Sequence, residues 1–287
     1  MRARRSVRDI LQEFSLKLMS CEIEESRLES ELILMKCLTL SRAQLYTILD
    51  YELTDLDISL SYKDLQRRLD REPWSYISGH KEFYGLDILV EPGVFIPRPE
   101  TELIVDTSLS IFNAMDSNRQ VKIVDACTGS GAIAIAISKH ISNAQIYATE
   151  ISDVALKIAN SNLHAHGLEG RIEILKGSLL EPIGSGIDIL VSNPPYIPSQ
   201  DIENLQPEVL HEPTQALDGG SSGLDIITEL MIQASSKMSR PGSMLIEFHP
   251  TQSLSLQTMA SQLLSPCKSK VINDLYGDNR LLVVDLF

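Results

Sequence analysis

Positive charge is short in this sequence. Its 25 Lys and Arg stand against 39 Asp and Glu, a net charge of −14. A protein that works on the phosphates of DNA or RNA wants a basic surface, so direct nucleic-acid contact is not expected. A positively charged protein partner fits the balance better. Cysteine is also scarce. Cys21, Cys37, Cys127 and Cys267 are widely scattered and none forms a CxxC pair, which implies neither a zinc site nor a disulfide framework. Reduced thiols in a cytoplasmic protein are the expectation. No apolar run approaches the roughly 18 residues that a membrane span needs. The start, Met1-Arg2-Ala3-Arg4-Arg5-Ser6-Val7-Arg8, is basic but has no apolar signal core behind it. Acids follow from Asp9 onward, against an organelle transit peptide, and a helix is expected to open there.

What is present is enough for a core: hydrophobic residues make up 43% of 287, room for one large domain or two modest ones. Residues 1–72 read as helices. Val7, Ile10, Leu11, Phe14 and Leu18 follow helical spacing. Leu28, Leu32, Met35 and Leu38 mark a second helix. Ser41 with Gln44 predicts a capping box for a third, and a fourth carries Leu60, Leu65 and Leu69 and must end before Pro73. Residues 73–100 hold Trp74, Tyr76, Ile77, Phe83, Tyr84, Leu86, Ile88 and Val90 around Gly79 and Gly85, predicting a linking β-hairpin. In 101–287 strands and helices alternate. Strands are predicted near 121–126, 145–149, 171–175, 187–192, 243–248, 269–274 and 280–286, and helices near 101–115, 132–141, 152–166, 223–238 and 252–264. That alternation means a doubly wound, mostly parallel α/β sheet, with ligands at the carboxyl ends of its strands. The last two strands are joined too tightly for a crossover helix and should be antiparallel.

Two motifs carry chemistry. Val121 to Ala126 reads as a strand, followed by Cys127-Thr128-Gly129-Ser130-Gly131 and a helix from Ala132. Glycines there let the backbone approach a ligand, and the helix start offers free N–H groups. The next strand ends in Glu150, whose carboxylate can accept the hydroxyls of a ribose. A plain βαβ crossover with a surface acid is the alternative. The second motif is Asn193-Pro194-Pro195-Tyr196, directly after the apolar run Ile187 to Ser192. The prolines remove two backbone donors, Asn193 offers a donor and an acceptor on one short arm, and Tyr196 adds an aromatic face. Such a clamp suits a planar group bearing an NH2, whether an amide or an amino base; a plain turn is the alternative. Gly129 to Ala134 also satisfies GxGxxA, so NAD is weighed, but a hydride-transfer site has no need of an amide clamp. S-adenosyl-L-methionine fits better.

With these residues in view the chain resembles the release-factor glutamine methyltransferases, the HemK/PrmC family. The resemblance rests on Glu72-Pro73 with Tyr76 to Gly79; Phe83-Tyr84-Gly85; Ile96 to Glu102; Asp125 to Ala134; Asn193 to Ile197; Glu212-Pro213 with Ala216 to Gly220, Gly223 and Leu224; and Glu247 with Gln252. It implies a class I S-adenosylmethionine-dependent methyltransferase fold of seven strands, the last antiparallel, in residues 101–287. Residues 1–72 would form an N-terminal helical substrate-recognition domain and 73–100 a hairpin linker. It implies methylation of the glutamine in the Gly-Gly-Gln tip of class 1 peptide chain release factors, in the cytoplasm, by a monomer. A ribosomal-protein glutamine or an adenine or cytosine amino group is the alternative substrate. By the same resemblance Cys127, Thr128, Gly129, Ser130, Gly131, Glu150 and Asn193 contact the methyl donor, and Leu179 or its neighbour lies near the adenine. Asn193, Pro194, Pro195 and Tyr196 hold the glutamine, with Asn193, Pro194 and Tyr196 serving the reaction and no metal required. The chain departs from the family pattern in having Glu150 for a usual Asp, Cys127 and His249 for usual glycines, and Gly177-Ser178-Leu179 for Gly-Asp-aromatic. None of its six histidines reads as a general base; His211 near the clamp is expected to face solvent.

Overall fold

The computed structural model describes residues 5–115 and 120–287. Residues 1–4, part of the basic start, lie outside it. The chain divides into two compact units, Met1–Gly79 with Pro207–His211, and His80–Gln206 with Glu212–Phe287.

The first unit is helical: α1 Val7–Ser20, α2 Ser26–Leu38, α3 Arg42–Thr47, α4 Asp55–Leu69 and α5 Trp74–Ser78. Three helices open with reciprocal caps. Ser6 and Asp9, Ser41 and Gln44, and Thr54 and Asp57 each exchange side-chain and backbone bonds, which satisfies N–H groups left free at a helix start. Phe14, Leu18, Ile33, Leu34, Leu45 and Leu65 are buried in one core; in α2 the buried face carries Ile33 and Leu34 rather than the predicted Leu28 and Leu32, and Leu60 of α4 is exposed. Trp74, Tyr76 and Ile77 are helical, whereas their spacing predicted a strand. Pro73 opens this short helix and Gly79, at φ +83°, closes it, a pairing that local alternation does not reveal. Arg68, 5% exposed, pairs with both Glu29 and Glu208. Arg71 also bonds Glu208 at 2.8 Å. The segment 207–211, remote in sequence, is thereby bound to α4.

The second unit begins with the hairpin β1 His80–Phe83 and β2 Leu86–Leu89, joined by Tyr84 and Gly85, both at positive φ, as a tight primed turn requires. The hairpin therefore belongs to the sheet-bearing unit, and the division falls at Gly79–His80 rather than at 72/73 and 100/101. Then come α6 Glu102–Ala114, β3 Val121–Ala126, α7 Ala132–His140, β4 Ala144–Glu150, α8 Asp153–Ala165, β5 Ile172–Lys176, β6 Ile187–Ser192, α9 Asp225–Lys237, β7 Met238–Glu247, α10 Ser253–Leu263, β8 Cys267–Asn273 and β9 Asn279–Leu286. The sheet order is β5-β4-β3-β6-β7-β9-β8. All pairs are parallel except those of β9, which runs antiparallel to β7 and β8. The last strand thus slots between its two predecessors. Every residue of β6 is buried, the signature of a strand covered by helices on both faces.

Candidate active site

The sheet order changes direction at β3. Its chain neighbour β4 lies on one side and β6 on the other, which opens a crevice at the strand ends. Ala126 is level with Thr149 of β4 and Ser192 of β6. Cys127, Glu150 and Asn193 therefore leave the sheet side by side.

The glycine turn is built on Asp125. This carboxylate is fully buried and accepts the Thr128 hydroxyl at 2.6 Å and the Ala134 N–H at 3.2 Å on the same oxygen. Its other oxygen is buried without a partner. Burial, less strongly opposed by those two bonds, pushes its pKa up to about 7. Cys127 adopts φ +60°, a conformation costly for a side chain with a Cβ. Burial, with Glu150 and Asp125 nearby, raises its thiol to about 12, so it stays protonated and is no nucleophile. Gly131 caps α7 at φ +84°. Ser130 is buried, and its carbonyl accepts the Asn162 side chain, which also exchanges two bonds with the Leu89 backbone. Glu150 accepts from the N–H groups of Gly129, Ile151 and Ser152 at 2.8–2.9 Å. A carboxylate has about four acceptor directions, so a ribose diol would share Glu150 with the backbone or displace one of these bonds. Leu179, after β5, is buried at φ +51° in the core that also holds Leu180 and Leu230.

Asn193, Pro194, Pro195 and Tyr196 follow β6 and are fixed from three directions. Ile197 donates to the Leu217 carbonyl and Gly219 donates back to Ile197, at 3.0 and 2.8 Å. Gln252, 7% exposed, donates to the carbonyls of Tyr196 and Gly223 at 2.9 and 3.2 Å. Asn193 Nδ2 donates to the Thr101 hydroxyl at 3.1 Å. Among the described residues no donor reaches Asn193 Oδ1 or the Pro194 carbonyl. Behind the clamp stands Glu247, 2% exposed, its Oε1 3.4 Å from the Tyr196 hydroxyl. Burial pushes Glu247 up to about 7, against the lowering effects of Thr101 and Arg280. Burial, and secondly Glu247, also push the Tyr196 phenol up, so it remains a neutral donor. The segment around Ile96 and Arg98 is held by Glu212, which accepts the Ile96 N–H at 3.0 Å and pairs with Arg98.

Residues 85–255 match the methyltransferase small domain and residues 9–79 the PrmC N-terminal domain. The release factor glutamine methyltransferase of Moorella thermoacetica is 35% identical over 96% of both chains. That of Geobacter sulfurreducens is 41% identical over 78% of this chain and 77% of its own. The chain belongs to the release factor glutamine methyltransferase family. Among solved structures, the human METTL16 catalytic domain in complex with an RNA hairpin superposes with a TM-score of 0.57 at 15% identity, covering 82% of this chain and 83% of that one. A methyltransferase from Pyrococcus furiosus gives 0.51 at 18% identity, covering 71% and 90%. At these identities the likeness concerns the fold, a class I methyltransferase sheet.

The family's two motifs meet at one sheet edge, but sequence reasoning left out what supports them. Thr101, Glu247 and Gln252 touch the clamp or its carbonyls and had no assigned role. The only signal was that each lies in a stretch matching the family. His211 is exposed, bonds the Asp70 carbonyl at 3.1 Å and sits in the helical unit. Residues 207–211 group with the helical unit, while residues 217–223 bind the clamp backbone.

Proposed function

We propose that this protein transfers a methyl group from S-adenosyl-L-methionine to the side-chain amide nitrogen of the glutamine in the Gly-Gly-Gln motif of class 1 release factors. The observation that carries the reading is the clamp: an asparagine carbonyl and a proline carbonyl, both without donors among the described residues, at the switch point of a methyltransferase sheet. The methyl donor fits the same edge. The turn at Gly129 and Gly131 lets the backbone approach its methionine end closely, and Glu150 suits its ribose. When bound, it supplies an electrophilic methyl on sulfonium sulfur. Asn193 Oδ1 and the Pro194 carbonyl each accept one amide N–H, and Tyr196 packs on the amide plane. The amide lone pair, delocalised in the free substrate, is thereby aimed at the methyl carbon. As the N–CH3 bond forms, the S–CH3 bond breaks and its electron pair stays on sulfur. The two carbonyls stabilise the charge growing on nitrogen, which then loses a proton to water. Positioning and electrostatics supply the rate; Cys127 and Tyr196 stay protonated and are not bases. The acidic balance supports a protein substrate over nucleic acid, recognised partly through the helical unit. Among the described residues no helix is long and apolar enough to cross a membrane. Incubation with labelled methyl donor and recombinant release factor, followed by peptide mass spectrometry, tests the reading. Label on the Gly-Gly-Gln glutamine is expected; label elsewhere, or on nucleic acid alone, refutes it.

A further inference from the structure

The clamp works only if Asn193 turns its oxygen, not its nitrogen, toward the substrate amide, and nothing in Asn193 itself decides this. The two ends of a carboxamide are nearly the same shape and differ only in donating or accepting. Asn193 Nδ2 lies 3.1 Å from Thr101 Oγ1. A threonine hydroxyl has one hydrogen to give, so when it accepts from Asn193 its own hydrogen must go elsewhere. The Glu247 carboxyl adjoins it, close enough for Thr101 to lower its pKa. Glu247 is 2% exposed, and its Oε2 makes no hydrogen bond of ordinary geometry. A buried, unpaired carboxylate oxygen is costly and is the acceptor that the Thr101 hydrogen lacks.

We propose that Glu247 is a positioning residue that sets, through Thr101, which end of the Asn193 amide faces the substrate. The inference rests on the glutamine-amide reading above. An ionised Glu247 can only accept. It takes the Thr101 hydrogen, Thr101 then accepts from Asn193 Nδ2, and Oδ1 is left for the substrate N–H. A protonated Glu247 donates to Thr101. The Thr101 hydrogen then turns to Asn193, the amide flips to receive it, and Nδ2 meets the substrate NH2, donor against donor. Tyr196 follows the same switch more weakly, its hydroxyl 3.4 Å from Glu247 Oε1. The charged and titratable groups facing Glu247 are Tyr196, Arg280 and Glu100. Arg280 is itself paired with Asp274 at 3.0 Å, and Arg98, which faces Tyr196, is paired with Glu212. Burial is the leading influence and holds Glu247 near neutrality, at about 7, so both states are accessible at working pH.

Single-turnover methylation of whole release factor, at saturating methyl donor from pH 6 to 8.5, tests this. The wild-type rate should fall about tenfold between pH 8 and pH 6, as expected for one required ionisation near 7. Glu247→Gln removes the charge that makes residue 247 an obligate acceptor, and with it the ionisation: its rate should be at least tenfold lower at pH 8 and flat across the range. Its calorimetric affinity for the methyl donor and its KM for release factor should stay within twofold. Thr101→Val should be slow and flat in the same way, and Thr101→Ser should recover both rate and pH limb. Should Glu247→Gln fail to fold, the Thr101 pair carries the test alone. A Glu247→Gln or Thr101→Val enzyme with wild-type rate and limb overturns the proposal while the glutamine reading stands. A wild type that methylates no glutamine of the release factor removes both.

Discussion

Gly223 rests against the carbonyl of Tyr196: a Cβ built at 223 would stand 2.2 Å from that oxygen and 2.6 Å from Gln252 Nε2, at a backbone φ of +72°. A Cβ built at Gly219 would likewise stand 2.8 Å from the Pro195 carbonyl oxygen and the Tyr196 Cα. Two glycines of a distant loop thus set the depth of the clamp, and Gln252 pins the carbonyl between them.

Gly223→Ala should therefore displace Tyr196 without touching the glycine turn. Overpacking of this kind costs about 1–3 kcal/mol of stability. Because a shift of about 1 Å at a reacting centre can lower rates by up to 100-fold, the turnover number should drop by at least tenfold. Affinity for the methyl donor should hold. Thermal melts, calorimetry and steady-state kinetics on one preparation separate these effects; unchanged turnover would show that the approach is dispensable.

Glu150 anchors three backbone N–H groups, and in the proposed function it also holds the ribose. Glu150→Ala should weaken binding of S-adenosylmethionine by roughly 1.5–3 kcal/mol, the range for hydrogen bonds to a charged group. Titration calorimetry reads this directly. NAD should give no heat with either protein, and a NAD signal without one for the methyl donor would overturn the cofactor assignment.

On the proposed function, Asn193→Ala removes one acceptor from the substrate amide. The penalty in single-turnover rate should be at least the roughly 1–3 kcal/mol of an unsatisfied buried donor, and larger if the bond tightens in the transition state. Asn193→Asp keeps an acceptor of the same shape and should retain more activity than Ala. Equal losses in the two variants would instead make Asn193 a donor or a turn-former.

Asp125 links the site to stability. Its carboxyl is held at about 7 by burial, against an ordinary value of about 3.9 when unfolded. Between those values the folded state binds more protons than the unfolded one, so this group's contribution to stability falls as pH rises from about 4 to 7. Asp125→Asn keeps an acceptor for Thr128 and Ala134 and removes the charge. It should stabilise the protein at pH 8 relative to wild type, by about 1.4 kcal/mol per unit of pKa elevation, with the gain vanishing near pH 4. Urea denaturation at the two pH values measures it; a destabilised variant at pH 8 would mean that the carboxylate is held ionised.

The amino-acid sequence by itself determined the helices of the N-terminal unit, the buried stripe of α1, the Ser41 cap, the seven strands and the two motifs at their ends. These are local: they depend on period, on capping chemistry and on where proline and glycine stand. Trp74 to Ser78 escaped that reading because five residues are too few to separate helix from strand, and the deciding contributions came from Pro73 and Gly79 at its edges. Only the tertiary structure decided that β9 inserts between β7 and β8, because strand order follows from packing and not from spacing. The tertiary structure alone also brought Thr101, Glu247 and Gln252 to Asn193 and Tyr196. Thr101 is 92 residues from Asn193, and Gln252 is 56 from Tyr196. A hydrogen bond between such residues leaves no periodic trace in the chain, and the buried carboxyl it depends on is raised by desolvation, which exists only once the core has closed.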